Sequence, residues 1–171
     1  MNTLYHTYHE SPLGTMLLTG TATHLRGLFF VGQKREKPVP AGSIEGDAPF
    51  KDVLRQLDDY FAGKPVTFDV PLEMEGTPFQ KTVWKALQAI PRGQTITYAQ
   101  LAKNIGNPNA VRAVGLANGC NRISVIVPCH RVIGANGSLT GYAGGLERKR
   151  WLLDVEQGGV LTGLGACPSS E

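Results

Sequence analysis

The sequence predicts an α+β protein in two halves: a small β-rich half closed by one helix, then a mainly helical half. Three observations carry this reading. Short apolar runs separated by turn residues fill the first third of the chain. Two capping boxes, the first with proline at the opening helical position, start helices after residue 76. Finally, 171 residues at 42% hydrophobic composition can bury one core, or two small cores packed closely together.

The elements follow in order. Strands are expected at Thr3–His9, Thr15–Thr19 and Leu25–Val31, with Ser11-Pro12-Leu13-Gly14 as the first turn. Residues 32–48 are polar and rich in Gly, Pro and Lys, the composition of a mobile loop. Phe50, Val53, Leu54, Leu57, Tyr60 and Phe61 then keep helical spacing up to Gly63. Val66, Phe68, Val70 and Leu72 alternate with the period of a strand that buries one face, and Glu73–Gly76 reads as a linker. The first capping box, Thr77-Pro78-Phe79-Gln80, opens a helix whose buried stripe is Phe79, Val83, Trp84, Leu87 and Ile90, stopped by Pro91-Arg92-Gly93. The second, Thr97-Tyr98-Ala99-Gln100, opens a short helix ending at Gly106, and a further short helix covers about Ala110–Gly119. The pair is a helix-turn-helix candidate, although any αα-hairpin gives the same pattern. Ala110, Ala113, Gly115 and Ala117 make its second helix small-faced around one long cation, Arg112. Such a face suits either close packing on a neighbouring helix or the narrow minor groove.

Charge divides along the same boundary. Residues 1–76 hold 7 Lys/Arg and 10 Asp/Glu, net −3, whereas residues 77–171 hold 10 and 4, net +6. A basic half beside an acidic one is expected where one half meets a polyanion, and equally arises from solvated charged faces. No apolar run is long enough to span a bilayer, and the first residues lack the basic-then-apolar order of an export signal. Cys120, Cys129 and Cys167 show no metal-binding spacing and cannot all pair, so reduced thiols in the cytoplasm are expected.

The apolar run Ile123–Val127 reads as a buried strand, and it ends abruptly in Pro128-Cys129-His130-Arg131-Val132. A thiol with a pKa of about 8.5 is mostly protonated near neutrality, and an imidazole beside it can accept that proton. Neighbours on a strand point to opposite faces, however, so Cys129 and His130 act together only if the chain turns tightly after Pro128.

The segments GTPFQKTVWKALQAIPRGQTITYAQLA, NAVRAVGLANGCN and IVPCHRVIGANGSLTGYAGGLERKRWLL, spread over Thr77–Glu156, resemble the O6-alkylguanine-DNA alkyltransferases, the methylated-DNA–protein-cysteine methyltransferases. About half the chain carries the resemblance; the first half matches mainly in its β-rich layout and the YFAGK segment. The resemblance implies a ribonuclease H-like α/β domain over 1–76, a DNA-binding and alkyl-acceptor domain with a winged-helix-like helix-turn-helix over 77–156, and a flexible tail over 157–171. It implies single-use direct repair, in which the alkyl group of O6-alkylguanine, and of O4-alkylthymine, passes irreversibly to Cys129 with no metal or cofactor. His130 would be the general base acting through a water, Glu156 would orient the imidazole, and Asn121 would stabilise the turn. Tyr98 would contact the backbone 3′ to the target nucleotide and donate towards the guanine ring. Arg112 would replace the flipped base in the stack, with Ala113 and Gly115 against the minor groove. Arg122, at a position where the family commonly has proline, would either add a phosphate contact or loosen the turn that orients Asn121. Val132 and Ala135 would read the base through their main chains, under a loop made by Tyr142, Ala143 and Gly144. The implied partner is double-stranded DNA bearing the lesion, met by a monomer for which cooperative loading is compatible, with no membrane involved.

Two positions depart from the family's usual pattern. Arg122 follows Asn121 where proline is common, and Ala143 stands where many relatives have serine. No cysteine-rich zinc module accompanies the chain, so a transcriptional role is not indicated. Three other functions compete: a lesion-binding protein without transfer, which Cys129 argues against; a Cys-His-Glu hydrolase with turnover; and a purely structural helix-turn-helix.

Overall fold

The structure, a computed structural model, describes residues 3–158. The expected tail and Cys167 therefore lie outside the described residues, apart from Gln157 and Gly158.

The first half forms a four-stranded sheet in the order β3-β2-β1-β4 from strands Tyr5–Ser11 (β1), Gly14–Gly20 (β2), Leu25–Phe30 (β3) and Ile44–Glu45 (β4). The first three strands pair antiparallel, with a two-residue turn placing Ser11 opposite Gly14, and β4 pairs parallel to β1. Met16, Leu18, Leu28 and Phe30 present one face of the sheet to the core. Helix α1 (Lys51–Phe61), entered through a 3₁₀ turn at Ala48–Phe50, supplies Val53, Leu57, Tyr60 and Phe61 to that core. Residues 32–48, expected as a loop, contain β4 and lean on the second half through Lys34 N–H donating to the Ala143 carbonyl at 3.1 Å.

The second half is built on helices α2 (Pro78–Gln88), α3 (Tyr98–Asn104), α4 (Val111–Gly119) and α5 (Leu146–Glu156). Both capping boxes form: Thr77 and Thr97 accept from the Gln80 and Gln100 amides, and each glutamine side chain accepts in return from the threonine amide. Gly106, at φ +81°, stops α3 in the left-handed conformation that glycine adopts without steric cost. Trp84 is the joint of this half; its indole N–H donates to the Ala117 carbonyl at 2.9 Å and ties α2 to the end of α4. The ring also closes on the linker, because a Cβ at Gly76 would lie 2.5 Å from it.

Two expectations are corrected. Residues 66–72 alternate in burial as expected, yet they run as an extended strap with only an isolated bridge at Leu72. Pro65 and Pro71 have no N–H to give to a ladder. Ile123–Val127 is buried apart from half-buried Ile126, but it is a turn and not a strand. Val127 N–H donates to the Ile123 carbonyl, and Val125 takes φ +70°. A β-branched residue in that region is strained, so the surroundings must hold it there.

The halves are joined at this turn. Leu28 N–H donates to the Arg122 carbonyl at 2.9 Å and Ser124 N–H to the Leu28 carbonyl at 3.0 Å, so the segment that precedes the Cys-His pair is bridged to β3.

Candidate active site

The tight turn that the Cys-His pair requires is present. After Pro128 the chain enters a 3₁₀ turn, Cys129–Arg131, and then strand β6 (Val132–Ile133). Strand β6 pairs parallel with β5 (Ile96–Thr97), which leads directly into α3 and brings Tyr98 to the same region.

Asn121 holds the turn from inside. Its Nδ2 donates to the Ile123 and Val127 carbonyls at 3.1 and 2.8 Å, and its Oδ1 accepts from Ile123 N–H at 3.1 Å. These bonds fix both ends of the strained Val125 segment with the side chain buried. Replacing Asn121 by alanine leaves those backbone groups unsatisfied and is expected to cost about 2–4 kcal/mol; urea unfolding of the two proteins measures it, and an unchanged midpoint would show that the turn holds itself.

His130 is fully buried, and its Nε2 lies 2.7 Å from Glu156 Oε2 on α5. The same oxygen accepts from Tyr60 OH at 2.5 Å and Arg131 Nη2 at 3.0 Å, while Oε1 accepts from Arg131 Nε at 2.8 Å. Arg131 also donates to the Ile90 carbonyl at 2.6 Å. Burial alone would raise the Glu156 carboxyl, but the hydrogen bonds and charges of His130 and Arg131 outweigh it and hold the group well below the usual carboxylate range. Burial also pushes His130 below its ordinary value against the opposing pull of Glu156, so the imidazole is neutral near pH 7. Its Nδ1 has no hydrogen-bond partner within the protein.

Burial raises the Cys129 thiol, and the Asn121 amide and the Lys149 charge oppose the rise only in part. The sulfur is therefore a thiol that needs a base, and a neutral imidazole lies next in sequence on the same turn. Lys149 is buried and donates its ammonium to the Val132 and Thr140 carbonyls, both at 2.7 Å; burial brings it down to about 8. It thus pins the segment after the reactive turn to the loop that covers Cys129.

That loop closes the sulfur in. Asn118, Asn121, Ser124, Tyr142 and Ala143 surround a space of about 10 Å³ at Cys129. Arg148 donates to the Gly144 carbonyl at 2.8 Å, and the Tyr98 hydroxyl approaches the Thr140 carbonyl at 3.5 Å. Gly115 faces the Tyr98 ring, where a Cβ would sit 3.9 Å away. On α4, Arg112 and Ala113 are exposed together with Val111 and Leu116.

Two expected residues stand apart from this constellation. Ala135 is exposed in the turn closed by Gly134 N–H to the Ser138 carbonyl and does not line the space at the sulfur. Arg122 carries its guanidinium to 3.9 Å from Glu75, on the side of the first half. The Val132 carbonyl, expected to read a base, already accepts from Lys149.

Four residues escaped the sequence reading. Lys149 sits in a charged run that looks like a solvated face, Arg131 reads as a single cation beside the Cys-His pair, and Tyr60 looks like one more apolar member of the α1 stripe. Asn118, whose Nδ2 is 3.4 Å from the Cys129 carbonyl, is buried with its Oδ1 unpaired. The only available signal was a polar residue on the inward, Val114–Ala117 face of α4. Among the described residues no cluster of His, Cys, Asp and Glu is placed to hold a metal, and no helix is long and apolar enough to cross a membrane.

Comparison with known proteins agrees with this geometry over both halves. Residues 78–158 match the family described as 6-O-methylguanine DNA methyltransferase, DNA binding domain, and residues 4–74 match its ribonuclease-like domain. The chain is 54% identical over 153 residues to a methylated-DNA–protein-cysteine methyltransferase of Methanosarcina acetivorans, covering 90% of this chain and 98% of the relative. It is 49% identical over 148 residues to the Mycolicibacterium paratuberculosis protein of the same name, covering 86% and 89%. A crystal structure of Mycobacterium tuberculosis OGT in complex with DNA superposes with a TM-score of 0.85 at 46% identity, over 90% of this chain and 93% of that one.

Proposed function

The chain belongs to the 6-O-methylguanine DNA methyltransferases, and on that premise we propose that Cys129 is the atom through which it repairs DNA. The activity is direct reversal, a methylated-DNA–protein-cysteine S-methyltransferase reaction with DNA as partner. The observation that carries the residue assignment is the buried line Cys129, His130, Glu156, in which one imidazole nitrogen is held by a carboxylate and the other is left unpartnered.

The thiol proton leaves Cys129 through a water to His130 Nδ1, and the thiolate attacks the alkyl carbon of O6-alkylguanine in line with the C–O bond. A C–S bond forms, the C–O bond breaks with its electron pair retained by the purine, and a proton returns to the base from the same network. Tyr98 donates to the departing ring. Glu156 stays ionised, keeps the imidazole in the accepting tautomer and stabilises the imidazolium formed in passing. The thioether does not react back, so each molecule acts once. O4-alkylthymine offers the same alkyl–oxygen bond and is proposed as a second substrate.

Guanine O6 lies inside the helical stack, so the base must be extruded first. Arg112 on the smooth, exposed face of α4 is proposed to fill the gap from the minor groove, with Ala113 and Gly115 allowing close approach. A space of about 10 Å³ admits no purine, so the loop carrying Tyr142, Ala143 and Gly144 is proposed to swing aside as the base enters. Placement of Arg122 beside Glu75 supports an intramolecular role for it over a phosphate contact. The proposal takes the protein as a cytoplasmic monomer that loads on duplex DNA, cooperatively or singly.

Intact-mass analysis after incubation with duplex DNA carrying O6-methylguanine tests this: one methyl-sized gain, located on Cys129, is expected, and multiple turnover without a covalent product would refute it. Arg112→Ala is expected to slow repair of the duplex at least about tenfold, the scale of one lost wedge contact, and to leave reaction with a free O6-alkylguanine base within twofold. Equal losses on both substrates would remove Arg112 from base extrusion. Because His130 is pushed below 6.5, its neutral form persists into mild acid. The acid limb of the rate against free base is therefore expected below pH 6.5, and a limb above that value would mean the imidazole is not the base.

A further inference from the structure

Helix α4 turns Val114, Ala117 and Asn118 inward and leaves Arg112, Ala113 and Leu116 on its outer side. At about 3.6 residues per turn, four residues rotate the helix by only about 40° beyond a full circle. Arg112 and Leu116 therefore stand one above the other near the middle of the outer face. Leu116 is 64% exposed, the highest value of any large apolar side chain among the described residues. Val111, at 37%, stands to one side. A single exposed leucine is ordinary on a protein surface. This one is the bulky exception on a face otherwise made of alanine and glycine, next to the cation assigned to base extrusion.

Charge identifies what covers it. Residues 77–146 contain 7 Lys/Arg and not one Asp or Glu. A stretch without a single acid suits a polyanion and not a protein surface of mixed charge. Two apolar side chains on one helix also fall far short of the apolar centre of a protein interface. The occupant is then the partner already assigned to this chain, DNA. Close approach through Ala113 and Gly115 leaves Leu116 two alternatives. It enters the minor groove, or it props the helix off the groove and carries Arg112 out of reach of the base stack.

We propose that Leu116 is a second, apolar wedge, which enters the minor groove beside Arg112 and levers open the base-pair step next to the extruded nucleotide. The proposal rests on α4 meeting DNA through its outer face. Side chains one helical turn apart have Cβ atoms about 5–6 Å from each other, less than two base-pair rises of about 3.4 Å. Leu116 therefore falls on a step beside the gap that Arg112 fills. Apolar side chains wedged from the minor groove unstack flexible pyrimidine–purine steps most readily and stiff A-tracts least. Leu116 thus makes a lesion-directed protein sensitive to the flanking sequence, through the deformability of the duplex and without a hydrogen bond to any base edge.

Single-turnover repair of O6-methylguanine duplexes at rising protein concentration gives the half-saturating concentration, with the lesion flanked either by TA and CA steps or by A-tracts. The full-length protein is expected to half-saturate at least about threefold lower on the flexible flanks. Leu116→Ala is expected to raise that concentration about tenfold, the scale of a leucine side chain left in water, and to bring the two flanks within about twofold of each other. Leu116→Met, which keeps an apolar side chain of similar volume, should restore both. The salt dependence should not change, because no phosphate contact is lost, and neither should the melting temperature, because the side chain is already in water in the free protein. An unchanged half-saturating concentration in Leu116→Ala, or a flank preference that survives it, would overturn the proposal. Arg112→Ala run alongside separates two failures: a loss there with none at Leu116 strikes the wedge alone, whereas no loss in either removes α4 from the DNA face. Self-association abolished by Leu116→Ala while repair stays intact would give the residue to a second copy of the chain and overturn the proposal as well.

Discussion

Cys129→Ser is expected to abolish alkyl transfer completely while leaving the fold and DNA affinity in place. Sulfur and oxygen differ in acidity, and the buried site widens the difference. The serine hydroxyl is a far weaker acid than a thiol, so the neutral imidazole of His130 cannot deprotonate it to any useful extent. Burial already pushes even the thiol upward, and the enclosed site gives an alkoxide nothing better than the Asn121 amide and the Lys149 charge. The change is nearly isosteric in a space of about 10 Å³ at Cys129, so packing is hardly disturbed. Intact mass against O6-methylguanine duplex should show no gain, with the circular dichroism spectrum and duplex affinity within twofold of the parent. Methyl transfer surviving in Cys129→Ser would place the acceptor elsewhere, and Cys120 would be the first candidate among the described thiols.

The second large effect is Glu156→Gln. Neutralising this carboxyl strands Arg131 and removes the charge that holds His130, and breaking a buried ion pair from one side costs about 3–5 kcal/mol. For a chain of this size that is a fall in melting temperature of roughly 10 °C. Reaction with free base should fall at least about a hundredfold, the contribution of a positioned general base. The pH dependence gives an independent check. A carboxyl whose folded value is depressed below 4.5 stabilises the protein fully above that pH and loses its contribution as pH falls towards the folded value. The stability gap between parent and Glu156→Gln should therefore be widest near neutrality and shrink in acid. A gap that stays constant down to pH 3 would mean that Glu156 is not the charged centre of the cluster.

Much of the architecture was legible because it is encoded locally. The Thr77 and Thr97 capping boxes, the α1 stripe from Val53 to Phe61 and the Gly106 stop are each fixed by residues within one or two turns of chain. Both misread segments depended on distant partners. Ile123–Val127 has the composition of a strand, but the Asn121 side chain takes the carbonyls a ladder would need. Val66–Leu72 alternates correctly, yet its prolines and the Gln56 side chain, which accepts from Asp69 N–H, leave little to pair.

The site divides in the same way. Cys129, His130 and Asn121 were legible because they sit in distinctive strings, Glu156 because it follows the last of them by three residues, and the structure gathers all four. Tyr60, Arg131 and Lys149 were not. A tyrosine in an apolar stripe, a lone arginine after the Cys-His pair and a lysine in a basic run carry no mark of burial until the fold brings an acceptor to each.

The Tyr60 hydroxyl has a consequence for heredity. One bond crossing 96 positions of sequence makes a residue of the β-rich half part of the frame around the reactive imidazole. A recombination event that exchanged the first half for another sheet of similar shape would deliver a well-folded neighbour and a Glu156 short of one donor. Lineages should therefore pass on the two halves as a matched pair, and a tyrosine lost from α1 should be accompanied by a new donor to the same oxygen.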